Sequence, residues 1–225
     1  MHIAVLGAGV VGVTTAYFLA EAGHDVTIID RESAVAQGCS LGNGAQLSYS
    51  FTDAMANPAF LARMPLLLAG FDPAIHVRPP TDANLLRWGL EFIRECTASK
   101  ARTNTLANLQ LALRSKQLID ELRTKVPGDF AYRSAGKIIL LRTEKERANA
   151  FATSELKAEL GVVTKVISVN EAIDIEPAIQ HMTGDYVGAI YSPGDDVGDA
   201  HAFSVAVTAF LHGKPNCQFQ LSTSI

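Results

Sequence analysis

Residues 2–32, "HIAVLGAGVVGVTTAYFLAEAGHDVTIIDRE", leave this chain few folds to choose from. Ile3–Leu6 is a short apolar run of the kind a parallel sheet buries on both faces. Gly7, Gly9 and Gly12 follow as GxGxxG, and Val10, Val13, Ala16, Tyr17 and Ala20 then recur at helical spacing up to Gly23, a helix stop. A second apolar run, Val26–Ile29, ends in Asp30. Strand, glycine turn, helix and strand in this order specify a βαβ unit of the Rossmann type.

Each glycine has a distinct task. Gly7 permits the tight turn, Gly9 lets the backbone approach a pyrophosphate, and Gly12 lets helix and sheet pack closely. Val10 and Val11 open the helix, whose free N–H groups and partial positive charge suit phosphate. Asp30, followed by Arg31, stands where a carboxylate accepts hydrogen bonds from adenosine ribose hydroxyls, and it would repel a 2′-phosphate. The motif serves FAD and NAD equally.

Hydrophobic residues make up 48% and charged residues 19% of the 225 positions, enough to bury a sizeable core. A net charge of −4 without any basic block argues against a nucleic-acid surface. Cys39, Cys96 and Cys217 lie far apart, so neither a disulfide framework nor a metal site is expected. Met1 leads straight into a strand pattern without a basic, cleavable apolar leader, which points to the cytoplasm. The longest apolar run, "MPLLLAGF", is well short of the ~20 residues that span a bilayer.

After Asp30 a structural connection should reach another helix within a few residues. Instead the chain spends a long polar stretch on "RESAVAQGCSLGNGAQLSYS". A loop leaving the strand ends of an open α/β sheet lies where ligands bind. Ser40, Asn43 and Gln46 recur every three residues and would share one side of a helical turn, while Gly42, Gly44 and Ala45 leave room for close backbone approach.

Pro58, Pro65, Pro73, Pro79 and Pro80 break residues 51–80 into loop with short helical pieces. Two helices follow, "TDANLLRWGLEFIRECT" and "LANLQLALRSKQLIDELRTKV". Trp88 and Phe92 in the first, and Leu106, Leu109, Leu113 and Leu118 in the second, read as core-facing stripes. "GKIILLRT" and "VGAIYSP" read as strands around the helix "EKERANAFATSELKAELG", which stops at Gly161. Asp199 is placed to cap the helix "AHAFSVAVTAFLHG", and "CQFQLSTSI" reads as a strand returning to the first unit. The expected organisation is residues 1–50 as the first part of a cofactor domain, 51–199 as part of an inserted mixed α+β substrate domain, and 200–225 as the return.

Four segments together resemble a known family: "VLGAGVVGVTTAYFLAEAGHDVTIIDRE" at Val5–Glu32, then "CSLGNGAQLSYS" at Cys39–Ser50, "IEPAI" at Ile175–Ile179, and "YSPGDDVGDAHAF" at Tyr191–Phe203. The family is the FAD-dependent D-amino-acid oxidoreductases, within it the bacterial D-amino acid dehydrogenases. Ala45 stands where the family more often has glycine, and Asp196 where glutamate is commoner.

The resemblance implies FAD as cofactor, with Ser40, Asn43, Gly44, Ala45 and Gln46 beside the flavin and Ile225 near the adenine. It implies oxidation of the Cα–N bond of a D-amino acid by hydride transfer, with no acid–base dyad required. Tyr49 is the candidate for the substrate carboxylate, with Arg78 and Arg87 unplaced. It also implies a quinone of the respiratory chain as acceptor, peripheral contact with the inner membrane, and a family chain about twice as long. Both domains are thus expected to be incomplete at the C-terminal side, with weak FAD retention unless a partner chain completes the site. Two alternatives stay open: an NAD-dependent dehydrogenase, which leaves Ser40–Gln46 unexplained, and a catalytically silent chain.

Overall fold

The computed structural model describes residues 1–71 and 82–224; Ile225, Arg78, Pro73, Pro79 and Pro80 lie outside the described residues. The opening unit forms as the pattern dictates, with β1 (His2–Leu6), α1 (Val10–Glu21) and β2 (Asp25–Ile29). Gly23, at a φ of +82°, turns the chain from α1 into β2. After a long loop come β3 (Gln46–Leu47), α2 (Pro58–Leu68), α3 (Ala83–Glu95) and α4 (Ala98–Lys125). Then β4 (Lys137–Leu141), α5 (Glu144–Ala158), β5 (Lys165–Ile167) and α6 (Val169–Ile175) lead to a 3-10 turn at Pro177–His181. The chain continues through β6 (Gly188–Ser192), β7 (Asp196–Val197), α7 (Ala200–His212) and β8 (Cys217–Gln220).

The described residues form three small sheets. β1, β2 and β8 form a parallel sheet with β2 in the middle, His2 opposite Asp25 and Val26 opposite Cys217. β4, β6 and β5 form an antiparallel sheet, and β3 pairs antiparallel with β7 to make a two-strand link. The parallel sheet carries the main core. Val13, Ala16 and Tyr17 of α1 pack with Val26 and Ile28 of β2 and with Phe203, Val207 and Leu211 of α7. Leu122 and Val126 at the end of α4, and Phe130, join this cluster, so the packing runs across the 50/51 boundary drawn from sequence. A second cluster of Ala172, Ile179 and Ala189 lies under the antiparallel sheet.

Local signals account for most helix ends. Thr143 with Glu146 and Ser168 with Glu171 close capping boxes on α5 and α6. Asp199 accepts the Ala202 N–H at 2.9 Å to cap α7, as its position implied. Two expectations need correction. Asn57 caps a helix that starts at Pro58 and continues through Pro65, so α2 is a full three turns and longer than the short helical pieces expected between loops here. The α4 stripe faces inward at Leu109 and Leu122, but α3 buries none of its residues. Trp88 stacks on Phe92 at 5.4 Å and Phe60 of α2 meets Phe92 edge-on at 5.3 Å. Beyond Phe60, no described element covers the apolar side of α3 fully enough to bury any residue on it.

Burial separates two leucines that look alike in sequence. Leu211→Ala, in the core, should lower unfolding free energy by about 2–5 kcal/mol, whereas Leu90→Ala on α3 should change it by less than about 0.5 kcal/mol. Urea unfolding of the two variants measures the contrast.

Candidate functional site

The glycine turn between β1 and α1 is built by close approach. A side chain at Gly12 would collide with the Gly7 carbonyl, so the helix can lie against the turn only with glycine there. Gly7 has a φ of +101°, and its N–H donates to the Ile29 carbonyl at 2.8 Å. Gly9 caps α1 without any side chain, which leaves its N-terminal N–H groups for other acceptors. One of them, on Val10, donates to Ser40 Oγ at 3.0 Å.

Asp30 ties the second strand to this turn. Its carboxylate accepts the Ala8 N–H at 2.5 Å and the Glu32 N–H at 2.9 Å. The Ala8 bond above all, with the Glu32 bond behind it, holds the Asp30 carboxyl below the usual carboxylate range. Arg31 points outward and pairs with Glu32 at 3.3 Å. Gly9, Val10, Val11, Asp30, Arg31 and Ser40 line a cleft of about 330 Å3. An anion-favouring helix end on one side and an ionised carboxylate on the other fit the pyrophosphate and ribose of a dinucleotide.

The loop after Asp30 does not form the shared helical face that its spacing suggested. Ser40, buried, points to α1; Asn43 Oδ1 accepts the Ala45 N–H at 2.8 Å in a local turn; Gln46 begins β3. Asn and Ser side chains compete for nearby backbone N–H groups, and here they win over helix formation. Ala45 has a φ of +58°, in the left-handed region that only glycine enters without cost, which accounts physically for a glycine preference at this position. Its carbonyl accepts the Gly198 N–H at 2.8 Å, joining the loop to β7.

Behind the loop lies a polar network that sequence reading missed. Asp195, 1% exposed, accepts both the N–H and the hydroxyl of Ser50 at 2.9 and 2.8 Å. Asp196, also buried, accepts from Lys116 Nζ of α4 at 2.6 Å and from the Tyr132 hydroxyl at 2.6 Å. Burial alone would raise the Asp196 pKa, but the bonds from Lys116 and Tyr132 outweigh it and hold the carboxyl below its ordinary value. The sequence signal was two adjacent carboxylates at the start of the short strand β7; their partners, 64 to 145 residues away, carried none.

Tyr49 belongs to this interior. It is 7% exposed, Lys116 Nζ sits 4.7 Å from its ring centre, and its buried hydroxyl has no hydrogen-bond partner among the described residues. Burial, with the Asp196 charge behind it, pushes its pKa well above the ordinary phenol value. Arg87 lies on α3 in an exposed pair with Glu91 at 3.0 Å.

Replacing Ala45 by glycine should raise stability by up to about 1 kcal/mol, read from the urea midpoint, because it removes a left-handed alanine. The Asp196 contribution has a fixed sign with pH. A depressed folded-state pKa stabilises above the unfolded-state value and is lost as pH falls through the folded one. Asp196→Asn should therefore lower Tm at neutral pH and flatten its fall between about pH 5 and pH 2, checked by thermal scans at each pH.

The family model for "FAD dependent oxidoreductase" matches residues 2–214. Over 217 residues the chain is 38% identical to D-amino acid dehydrogenase 2 of Ralstonia nicotianae, covering 96% of this chain and 51% of that protein. It is 32% identical to D-amino acid dehydrogenase 2 of Mesorhizobium japonicum, covering 100% and 54%. The chain thus spans about half the length of the curated relatives it matches. Glycine oxidase from Geobacillus kaustophilus shares the fold at a TM-score of 0.63 and 20% identity, over 99% of this chain and 46% of that one. So does L-alpha-glycerophosphate oxidase from Mycoplasma pneumoniae, solved with FAD bound, at 0.63 and 17%, over 99% and 44%. The match of residues 2–214, on a βαβ unit with this turn and this acidic strand end, makes the chain a member of the FAD dependent oxidoreductase family.

Proposed function

We propose that this chain provides the FAD-holding part of an enzyme that oxidises D-amino acids to 2-oxo acids and ammonia. One observation carries the reading: the α1 N-terminus, Asp30 and Ser40 line a single cleft whose two sides suit pyrophosphate and ribose. The names of the relatives, at 38% and 32% identity, support the D-amino acid as substrate class.

In this reading the Gly9 and Val11 N–H groups face the pyrophosphate, Val10 lines the cleft between them with its N–H held by Ser40 Oγ, and Asp30 accepts from the adenosine ribose, with Arg31 beside it. Asn43, Gly44, Ala45 and Gln46 face the isoalloxazine as a backbone surface held by the β3–β7 pair. Bound FAD supplies a two-electron acceptor for the hydride leaving the substrate Cα, and water then hydrolyses the imino acid to the 2-oxo acid and ammonia. The Tyr49 hydroxyl orients the substrate carboxylate; an orphaned buried hydroxyl is costly, and a ligand partner would relieve it. Residues 1–50 and 200–225 act as the cofactor side and 51–199 as the substrate side. A segment equivalent to the other half of the relatives completes both.

FAD titration followed by absorption should give sub-stoichiometric uptake, with Asp30→Ala weakening it about tenfold to a hundredfold. Anaerobic D-alanine or D-proline should bleach the bound flavin when the complementary half is supplied, and L-alanine should not. Tyr49→Phe should lower kcat/KM and leave flavin content unchanged. Uptake of NAD in place of FAD would overturn the reading.

A further inference from the structure

The side of α5 that lies over the antiparallel sheet is polar where a covering helix would ordinarily be apolar. Asn149, Thr153, Ser154 and Lys157 recur there at helical spacing with only Ala150 among them, while Phe151 lies exposed. Ile139 of β4 stands opposite Ile190 of β6 in the register, and these two with Leu141 form an apolar wall facing α5. The other side of the same strands, Ile138, Leu140 and Ala189, packs with Ala172 of α6. Between α5 and the apolar wall is a cavity of about 230 Å3, completed by Ser50, Phe51 and Asp53. It shares no lining residue with the cleft at α1.

Lys157 sets the chemistry of this cavity. It is 5% exposed, and Asp53 Oδ2, 2.9 Å from its Nζ, is its hydrogen-bond partner among the described residues. An ammonium carries three N–H donors, so two remain, and a buried donor left without an acceptor is costly. Asp53 Oδ1 likewise has no partner among the described residues. The cavity thus offers cationic donors, a carboxylate oxygen beside them and an apolar wall. Water alone suits it poorly, because a buried water needs two to four polar partners and Ile139, Leu141 and Ile190 supply none. A simple anion would meet the Asp53 charge, and a hydrocarbon would leave Lys157 unanswered.

We propose that this cavity binds a small aliphatic 2-amino acid as its zwitterion. The carboxylate accepts from Lys157 Nζ, the ammonium donates to Asp53 Oδ1, and the side chain lies against Ile139, Leu141 and Ile190. The volume equals that of about eight waters at ~30 Å3 each, which suits a molecule the size of valine. Ser50 gives the site a route to the rest of the fold: it lines the cavity, and its N–H and hydroxyl both go to Asp195. An amino acid held here therefore touches the residue that anchors the far end of the cofactor loop. The ligand class follows from the walls of this cavity and does not rest on the reading of the α1 cleft.

Calorimetric titration of the chain without FAD, using D-valine and L-valine separately, should give saturable heat with at least one enantiomer, at a Kd of about 0.1–1 mM. The same titration with 3-methylbutanoate, which lacks the ammonium, and with isobutylamine, which lacks the carboxylate, should be weaker by at least about tenfold each. Lys157→Met and Asp53→Asn should each weaken valine by at least about tenfold. Thr153→Leu fills the cavity while leaving the ion pair in place, so it should abolish binding with circular dichroism unchanged. Absence of saturable heat up to about 20 mM of either enantiomer would overturn the proposal. So would equal affinity for either truncated analogue, or valine affinity untouched by all three variants. Loss of valine binding once the complementary half is supplied would assign the cavity to a segment of that half, and would also overturn it. The readout is binding without flavin or turnover, so its failure leaves the proposed chemistry untouched.

Discussion

The contact between the start of α1 and the Gly7 carbonyl sets the geometry of everything around the cleft. Because no side chain fits at Gly12, the helix axis drops close to the end of β1, and its first N–H groups reach the strand ends. Asp30 can then take the Ala8 N–H from the neighbouring strand, and Ser40 can reach the Val10 N–H from the loop. Three separate segments meet at one helix end only because that end lies low. The apolar packing of α1 against α7 serves the same placement from behind, through Val13 and Tyr17 on one side and Val207 and Leu211 on the other.

A second anchor lies on the opposite side of the loop. Asp195 and Asp196 receive donors from Ser50, from the long helix α4 and from Tyr132. A buried carboxylate without such donors would be strongly unfavourable, so the network is all or nothing: removing Lys116 strands a buried charge. The loop from Ser40 to Ser50 is therefore held at its start by a neutral hydrogen bond and at its end by an ionic cluster. Its middle, Gly42 to Ala45, is left to local turn chemistry.

The sequence made the βαβ unit legible because its signals are local. Glycine spacing, helical periodicity and a strand-terminal acid all act within thirty residues, and the strands, the helix and Asp30 emerged where those signals put them. The Asp199 cap was legible for the same reason. What stayed hidden depends on long-range partners. Ser40, Asn43 and Gln46 looked like one face because period alone cannot show that Ser40 is drawn to α1 and Asn43 to its own backbone. Trp88 and Phe92 looked like core because amphipathic spacing does not say whether anything packs on the apolar side. Lys116 carried no signal of its own, since its partner lies 80 residues downstream.

The middle position of β2 has a kinetic side. β2 finds β1 across a single helical turn-over, but its other edge is filled by β8, about 190 residues further along. Closing so long a loop is slow, and the reward arrives only once α7 and β8 exist to be added. During synthesis the first βαβ unit must wait with one flank of β2 unpaired, and an unpaired strand flank is a template for other chains. The arrangement that builds the cleft thus makes its assembly one of the last events in the folding of this chain.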